Sequence, residues 1–463
     1  MDNLPDELLF EIINQLFLGN VDDVWNISVT NRRLHQIAKE LLYSSYSNKD
    51  VVPGLFIRAL ASSPNLERCV QQVEWRAGGY DLKFPEELTT AELRYVTERV
   101  GFGEVGRTEV AGESMIRKLN AWLADREEED CINIFMLFTR KVKRVVITPK
   151  EWSRKVVWFK PALASQMFSN LQEAYIHKEM RIGNVLSLFL LPSMRTLTLS
   201  HVGINRNIDG VGPRPEWEAN NAFWKRLERE GSSIENLMLS NVGSDTLDLV
   251  RALESFQGLK NLEFAFHGHG LGRDDVNVRT LLRAIAHHHG SLRWFHLEDP
   301  RLGKDPKVFE EVKTLDHLEC LQMTMPVFHG SMNHKEEQLP EALLGCFRNL
   351  PRHLKNLRIS AREDYQDVPT RFLDVLLSMA PTIDTILPHL EKITFFDWNP
   401  QLGTFPCQIQ TAALQSALAK ADVELESIYD TDEFAELYHE QGNIVVSTIE
   451  PDLVSVAVQH GCH

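Results

Sequence analysis

The first forty residues alternate apolar and polar positions with the period of α-helices. In the segment LPDELLFEIINQLFLGN (4–20), apolar residues recur at steps of three and four, the pattern of a helix with an apolar stripe. Pro5 suits the first turn of this helix and Gly19 suits its end. A shorter helical pattern follows at 21–28, and Asn31 is a good N-cap for a third helix. The pattern therefore predicts three consecutive helices.

Three short helices bury too small a fraction of their surface to be stable as an isolated unit. The apolar stripe of the first helix therefore needs a further cover. Two interpretations are open at this point: the stripe binds a second polypeptide, or the helices form a cap that folds back on the rest of the chain.

The segment LPDELLFEIINQLFLGNVDDVWNISVTNRRLHQIAKELLY (4–43) resembles the F-box, a trihelical module that opens with Leu-Pro-x-Glu-Leu. The resemblance implies that the stripe binds the Skp adaptor, which links an F-box protein to a cullin scaffold and a RING subunit. The segment departs from the family pattern at Gly19-Asn20, since an apolar residue commonly occurs ahead of the acidic pair, here Asp22-Asp23. The adaptor-binding residues implied by the resemblance are Leu4, Pro5, Leu8, Ile12, Leu16, Val24, Ile27, Val29 and Leu34.

A six-residue pattern with apolar residues at its first, fourth and sixth places recurs through the body of the chain. It occurs as LQEAYI (171), MRTLTL (194), IENLML (234), LKNLEF (259), LRWFHL (292), LECLQM (318), LKNLRI (354) and LEKITF (390), with weaker copies VQQVEW (70) and VKRVVI (142). Helical patterns separate many of these segments. Strands that alternate with helices at this spacing predict a parallel sheet joined by crossovers, one strand per repeat. A non-solenoid α/β fold with similar buried strands is the alternative.

The pattern resembles a degenerate leucine-rich repeat, in the long form that often follows an F-box. We therefore predict an α/β protein: an N-terminal trihelical F-box followed by an irregular leucine-rich-repeat-like solenoid with a parallel sheet. The predicted domains are the F-box at 1–47, a helical junction with the first degenerate repeats at 48–150, the solenoid at 151–402 and a C-terminal cap at 403–463.

In such a solenoid, the residues at the third and fifth places of the pattern, and the one after it, face the concave solvent side. This face is predicted to bind a target protein, because aromatic and arginine side chains commonly anchor protein partners. The alternative is a solvated sheet face whose aromatic side chains are partly packed under loops. The candidate target-binding residues are Trp294, His296, Glu298, Arg358, Lys392 and Phe396.

Composition and charge narrow the possible partners and location. The formal net charge of −16, with no wide basic stripe, argues against binding to nucleic acid. No signal-peptide pattern or bilayer-length apolar run is present, so we expect no membrane partner and a cytoplasmic or nuclear location, or both. Six cysteines lie far apart without zinc spacing, which indicates reduced thiols and no metal site.

Candidate catalytic chemistry is sparse. AHHHG (286–290) ends a predicted helix, and its adjacent histidines point in different directions around the helix rather than toward one metal. HGHGLG (267–272) has glycines but lacks the helix and lysine of a phosphate-binding loop. We therefore expect no catalytic residue and no cofactor.

The resemblance implies a non-catalytic subunit: the substrate-recognition adaptor of an SCF (Skp-cullin-F-box) E3 ubiquitin ligase, with an unknown protein target. The alternative is an F-box and solenoid protein in a non-degradative assembly, which docks on Skp without a cullin.

Overall fold

The computed structural model describes residues 4–19, 21–49, 53–76, 136, 139, 141–148, 168–181, 185–203, 215–240, 246–265, 278–298, 308–324, 339–360, 368–396 and 406–428. The glycine-rich segment at 267–272 lies outside these residues, as do large parts of the predicted junction at 48–150 and of the predicted cap at 403–463.

The chain begins with three helices, α1 (Asp6–Gly19), α2 (Val21–Ser28) and α3 (Arg32–Leu42), which we call the trihelical unit. The predicted N-cap is confirmed, because the Asn31 side chain accepts a hydrogen bond from the Leu34 backbone N–H at 2.8 Å. The three helices share a small apolar core of Leu9, Ile13, Val24, Leu34, Ile37, Ala38 and Leu41.

The rest of the described chain is built on one parallel sheet. Within the described residues its twelve strands pair in chain order, β1 to β12, each with the next. They are β1 (Ser45–Ser47), β2 (Gln72–Arg76), β3 (Arg144–Thr148), β4 (Glu173–Arg181), β5 (Thr196–Gly203), β6 (Asn236–Ser240), β7 (Asn261–Ala265), β8 (Trp294–Glu298), β9 (Cys320–Thr324), β10 (Asn356–Ser360), β11 (Lys392–Phe396) and β12 (Glu424–Ile428). The predicted α/β class with a parallel sheet is confirmed.

Helices connect the strands and pack on their neighbours along the chain. They are α4 (Pro53–Ser62), α5 (Pro215–Glu230), α6 (Thr246–Ser255), α7 (Val278–Ala286), α8 (Val308–Val312), α9 (Leu339–Arg348), α10 (Val368–Met379), α11 (Ile383–Ile386) and α12 (Pro406–Ala419), with 3-10 turns at Pro64–Arg68, Leu186–Leu190 and Ala380–Thr382. Contacts run from α5 to α6, from α6 to α7 and from α7 to α8, as a layer of crossover helices requires.

The recurrent pattern of apolar residues forms the core beneath the sheet. In IENLML, the apolar residues Ile234, Leu237 and Leu239 are buried, whereas Asn236 and Met238 between them are half-buried on the opposite face. Side chains alternate between the two faces of a strand, so this spacing directs every second residue to the core. We call the opposite face, which carries the first, third and fifth residues of each strand, the polar face.

A repeated pair of backbone hydrogen bonds fixes the start of strands β2 to β11. The Arg195 carbonyl oxygen accepts bonds from the backbone N–H groups of both Glu235 and Asn236, each at 2.9 Å. The same bifurcated arrangement recurs from the carbonyl of Ser44 to that of Lys355. Ion pairs such as Lys260–Glu235 (2.6 Å) follow the same line on the surface, where they contribute little to stability.

The sheet extends at both ends beyond the ranges in which repeats were predicted. Strand β1 lies inside the range predicted as F-box, and β12 lies inside the range predicted as a cap, where the sequence pattern is lost. The register pairs Lys392 with Glu424, which places Asp422 and Ser427 at the first and sixth places of the last repeat. Because these two places are polar there, the apolar pattern did not predict the twelfth strand.

Candidate protein-binding surfaces

Large apolar side chains are exposed mainly on the trihelical unit. Within the described residues they are Leu8, Phe10, Ile12, Leu16, Trp25, Val29 and, outside the unit, Leu55. An exposed apolar patch on a soluble protein commonly marks an interaction site. Leu8, Ile12 and Leu16 are four residues apart and therefore form one line along α1.

Helix α1 is apolar on two sides with different roles. Leu9 and Ile13 are 2% exposed and belong to the core of the trihelical unit. Their neighbours Leu8 and Ile12 are 52% and 44% exposed. The single stripe predicted from the sequence therefore divides into a buried line and an exposed line, and no described part of this chain buries the exposed line.

The structure separates the nine predicted adaptor-binding residues into three groups. Pro5, Leu8, Ile12, Leu16 and Val29 are exposed, whereas Leu4 and Ile27 are half-buried against the core of the unit. Val24 and Leu34 are instead buried in that core, so neither side chain lies on the surface of the trihelical unit. Their helical spacing is equally suited to an internal position, so the sequence alone did not separate the two roles.

Trp25 is an exposed side chain that the list of adaptor-binding residues missed. It is 60% exposed and lies one helical turn before Val29, which is 67% exposed. The signal in the sequence was this four-residue spacing between two large apolar residues. Trp25 therefore enlarges the exposed apolar area on α2.

Charged groups connect the two ends of the trihelical unit. Arg33 on α3 donates a hydrogen bond from Nε to Asp6 Oδ1 at 2.7 Å and another from Nη2 to the Leu4 carbonyl oxygen. The first 31 residues contain no Lys, Arg or His. The exposed line on α1 therefore has acidic neighbours, such as Glu7 and Glu11, and no basic neighbours on its own helix.

An aromatic cluster joins the trihelical unit to the sheet. Tyr43 immediately follows α3, and its ring lies 5.6 Å from that of Phe56 on α4. Phe56 contacts Tyr46 on β1 at 4.7 Å, and Tyr46 contacts Trp75 on β2 at 6.4 Å. Such ring contacts favour defined orientations, so the cluster fixes the exit of α3 against the first strands.

The candidate target-binding residues do not form an exposed aromatic and basic patch. Trp294 and His296 are 9% and 7% exposed, and their rings contact edge to face at 5.8 Å. His296 Nδ1 also lies 3.5 Å from Glu263 Oε2 on the neighbouring strand. Trp294 and His296 are therefore buried rather than exposed, because they lie on the same face of β8, two residues apart, and pack against each other and against the neighbouring strand.

Of the remaining candidates, Arg358 and Lys392 lie on the polar face of β10 and β11, two and three strands from Trp294. Arg358 and Lys392 are half-buried, and Lys392 Nζ lies 3.0 Å from Glu426 Oε2 and 3.6 Å from Glu424 Oε1. The side chains of Glu298 and Phe396 lie outside the described part of the structure. Lys392 is therefore part of an ion-pair network on the last two strands.

Burial shifts the titration of two further groups on the polar face. Burial raises the pKa of the Cys320 thiol to about 11, against the smaller opposing effects of Arg358 and the Trp294 indole. Burial, followed by the nearby Glu173 carboxylate, raises the pKa of Tyr175 to about 12. Arg144 opposes this shift and lies over the Tyr175 ring at 5.2 Å. Both groups are therefore neutral near pH 7, and neither is an activated nucleophile.

The histidines at the end of α7 do not form a metal site. Within the described residues, no group of three or more His, Cys, Asp or Glu side chains could hold a metal ion. His288 is buried, and its Nε2 lies 2.7 Å from the Leu253 carbonyl oxygen on α6. This bond connects the helices of two consecutive repeats, so His288 has a structural contact.

We expect His288 to make the fold less stable as the pH falls from 7 to 5. Burial lowers the pKa of His288 below its ordinary value, whereas the unfolded chain keeps the ordinary value of about 6.5. The unfolded state therefore binds the proton at a higher pH than the folded state does. As a result, the free energy of unfolding decreases as the pH falls below about 6.5. The measurement is urea unfolding of the wild type and His288→Gln at both pH values. An equal pH dependence in the two proteins would contradict this assignment.

Comparison of the chain with known protein families and with curated protein sequences finds no match. In the part of the chain that the structure describes, no helix has the length and apolar character needed to cross a membrane.

Proposed function

We propose that this chain is the substrate-recognition subunit of an SCF-type ubiquitin ligase, with a trihelical F-box that binds a Skp adaptor and a repeat region that binds a target protein. The observation that carries the proposal is the exposed line Leu8, Ile12 and Leu16 on a helix whose other side already forms a core. A partner would bury apolar area there at about 25 cal/mol per Å².

The separate core of the trihelical unit supports the proposal over the alternative of a cap. In a cap folded back on the chain, the apolar side chains of α1 would enter the core of the sheet region. The described core of the sheet region instead begins with Tyr46 and Phe56 and contains no residue of α1. The aromatic cluster at Tyr43 holds the unit beside the first strands and leaves the exposed line accessible.

Such a subunit would act by proximity. The repeat region would hold a target near a ubiquitin-loaded enzyme bound to the same scaffold, which raises the effective concentration of the target lysines. A fixed joint between the two parts would help, because a rigid connection restricts the positions that a bound target can occupy. No residue of this chain needs to take part in the transfer chemistry.

The test is affinity capture with the tagged full-length protein. We expect recovery of the Skp adaptor, the cullin and the RING subunit together from cells in which the proteasome is inhibited. Recovery of Skp without cullin would favour a non-degradative assembly, and recovery of none of the three would overturn the proposal. The variant Leu55→Ala should recover the same subunits as the wild type, because Leu55 is an exposed apolar residue that lies outside the trihelical unit.

A further inference from the structure

Glu263, at the third place of β7, differs from the other acidic side chains described on the polar face. Its Oε2 lies 3.5 Å from His296 Nδ1, and an imidazole is positively charged only when it is protonated. The others each lie within ion-pair distance of a lysine or arginine: Glu74 of Arg76, Glu173 of Arg144, and Glu424 and Glu426 of Lys392. Within the described residues, Glu263 is therefore the carboxylate of this face without a permanently charged partner.

The strands around Glu263 supply no lysine or arginine to this part of the polar face. The first, third and fifth places of strands β5 to β9 hold two acidic residues, Glu263 and Glu298, and no lysine or arginine. Among the corresponding places of the other strands, the nearest basic residues are Arg144 on β3 and Arg358 on β10. At the usual spacing of strands, their backbones lie at least about 14 Å from that of Glu263, beyond the screening length of about 8 Å in physiological salt. The charge of this region therefore favours a cationic ligand.

The Glu263 side chain is shielded from water but still accessible. It is 18% exposed, whereas the adjacent His296 side chain is 9% exposed. Partial burial reduces screening by water, so this carboxylate attracts a cation more strongly than a fully exposed one does. Met238 lies opposite Glu263 on β6, and Asn261 lies two residues before it on the same face, both half-buried. Met238 offers an apolar surface, and Asn261 Oδ1 is a further hydrogen-bond acceptor.

We propose that Glu263 binds a lysine or arginine side chain of a target protein, with the cationic end on the carboxylate and the aliphatic stem over Met238. Long basic side chains have this division into an apolar stem and a charged end. An acidic or phosphorylated segment would instead be repelled by Glu263. The inference rests on the proposed function because it takes the polar face to be the target-binding surface, and it assigns a basic residue to the segment that this surface recognises.

The test uses short random peptides displayed on phage and selected on the full-length protein. We expect the selected peptides to share a lysine or arginine. Fluorescence anisotropy with labelled synthetic copies measures their affinity. Replacing the shared basic residue of the peptide with glutamine should weaken binding about tenfold or more, because a charge-assisted hydrogen bond is lost. This measurement uses the wild-type protein, so it does not depend on the folding of a variant.

The corresponding change in the protein is Glu263→Gln, which keeps the shape of the side chain and removes its charge. It should weaken binding of the original peptide about tenfold or more. On this variant, the glutamine substitution in the peptide should have less than about a twofold further effect, because both changes remove the same ion pair. Circular dichroism checks that the variant keeps the wild-type fold.

The matched control is Glu74→Gln, the same change at the third place of β2, where the carboxylate already has Arg76 as its partner. It should leave peptide affinity unchanged. Peptides without a shared basic residue, additive effects of the protein and peptide substitutions, equal effects of Glu263→Gln and Glu74→Gln, or no enrichment over an unrelated protein would each overturn the inference. Adaptor capture in parallel separates the two proposals: capture without peptide binding overturns this inference alone, and peptide binding without capture overturns the proposed function alone.

Discussion

Replacing Leu8 and Ile12 together with alanine is expected to reduce the affinity for the proposed Skp adaptor by about ten- to a hundredfold while leaving the thermal transition nearly unchanged. Both side chains are about half exposed in the free protein, so removing them leaves no cavity. Full burial of such a side chain is worth about 1.5–3 kcal/mol, so burying the exposed half of each against a partner contributes about half of that, and the two losses together give about 1.5–3 kcal/mol. Titration calorimetry with the purified adaptor measures the affinity.

The matched control is Leu9→Ala with Ile13→Ala, the same change one position further along the same helix. These side chains are 2% exposed, and each truncation is expected to cost about 2–5 kcal/mol of stability. Circular dichroism should then show loss of the trihelical unit. If the exposed pair destabilises the protein as much as the buried pair does, or leaves adaptor affinity intact, then the exposed line on α1 is not a binding surface.

The second large effect is expected at the aromatic cluster. Phe56→Ala removes a ring that is 4% exposed and contacts both Tyr43 and Tyr46, so it should lower the free energy of unfolding by about 3–5 kcal/mol. Denaturant unfolding followed by tryptophan fluorescence measures this, because Trp75 lies in the same cluster.

The neighbouring variant Leu55→Ala provides the comparison for Phe56→Ala. Leu55 is 47% exposed, so its truncation should change the free energy of unfolding by less than about 0.5 kcal/mol. A stability of Phe56→Ala close to that of Leu55→Ala would show that the cluster does not hold α3 against the first strands.

The sheet could be predicted from the sequence wherever the apolar pattern is complete. Leu354, Leu357 and Ile359 occupy all three apolar places of one repeat, and all three are buried as expected. The two terminal strands could not be predicted this way. Strand β1 replaces the first apolar residue with Tyr43 and the sixth with Asn48, whose side chain instead accepts a hydrogen bond from the Arg76 N–H at 2.7 Å.

The candidate sites were predicted less completely, because exposure depends on neighbours that are distant in sequence. The helical period correctly placed Leu8 and Ile12 on one apolar side, but it gave Val24 the same status although Val24 is fully buried. On the sheet, the alternation correctly placed Trp294 on the polar face. Its burial depends on contacts with His296 and with Cys320, which lies opposite it on β9; the alternation gives the face of a side chain but not how closely its neighbours pack.

The constant register has a consequence for how the chain can vary. Strands β4 and β5 begin 23 residues apart, at Glu173 and Thr196, whereas β2 and β3 begin 72 residues apart, at Gln72 and Arg144. In both cases the first residues of the two strands lie opposite each other. Insertions between strands therefore leave the alignment of side chains across the sheet unchanged. The spacing of side chains on the polar face does not depend on the length of the connecting segments.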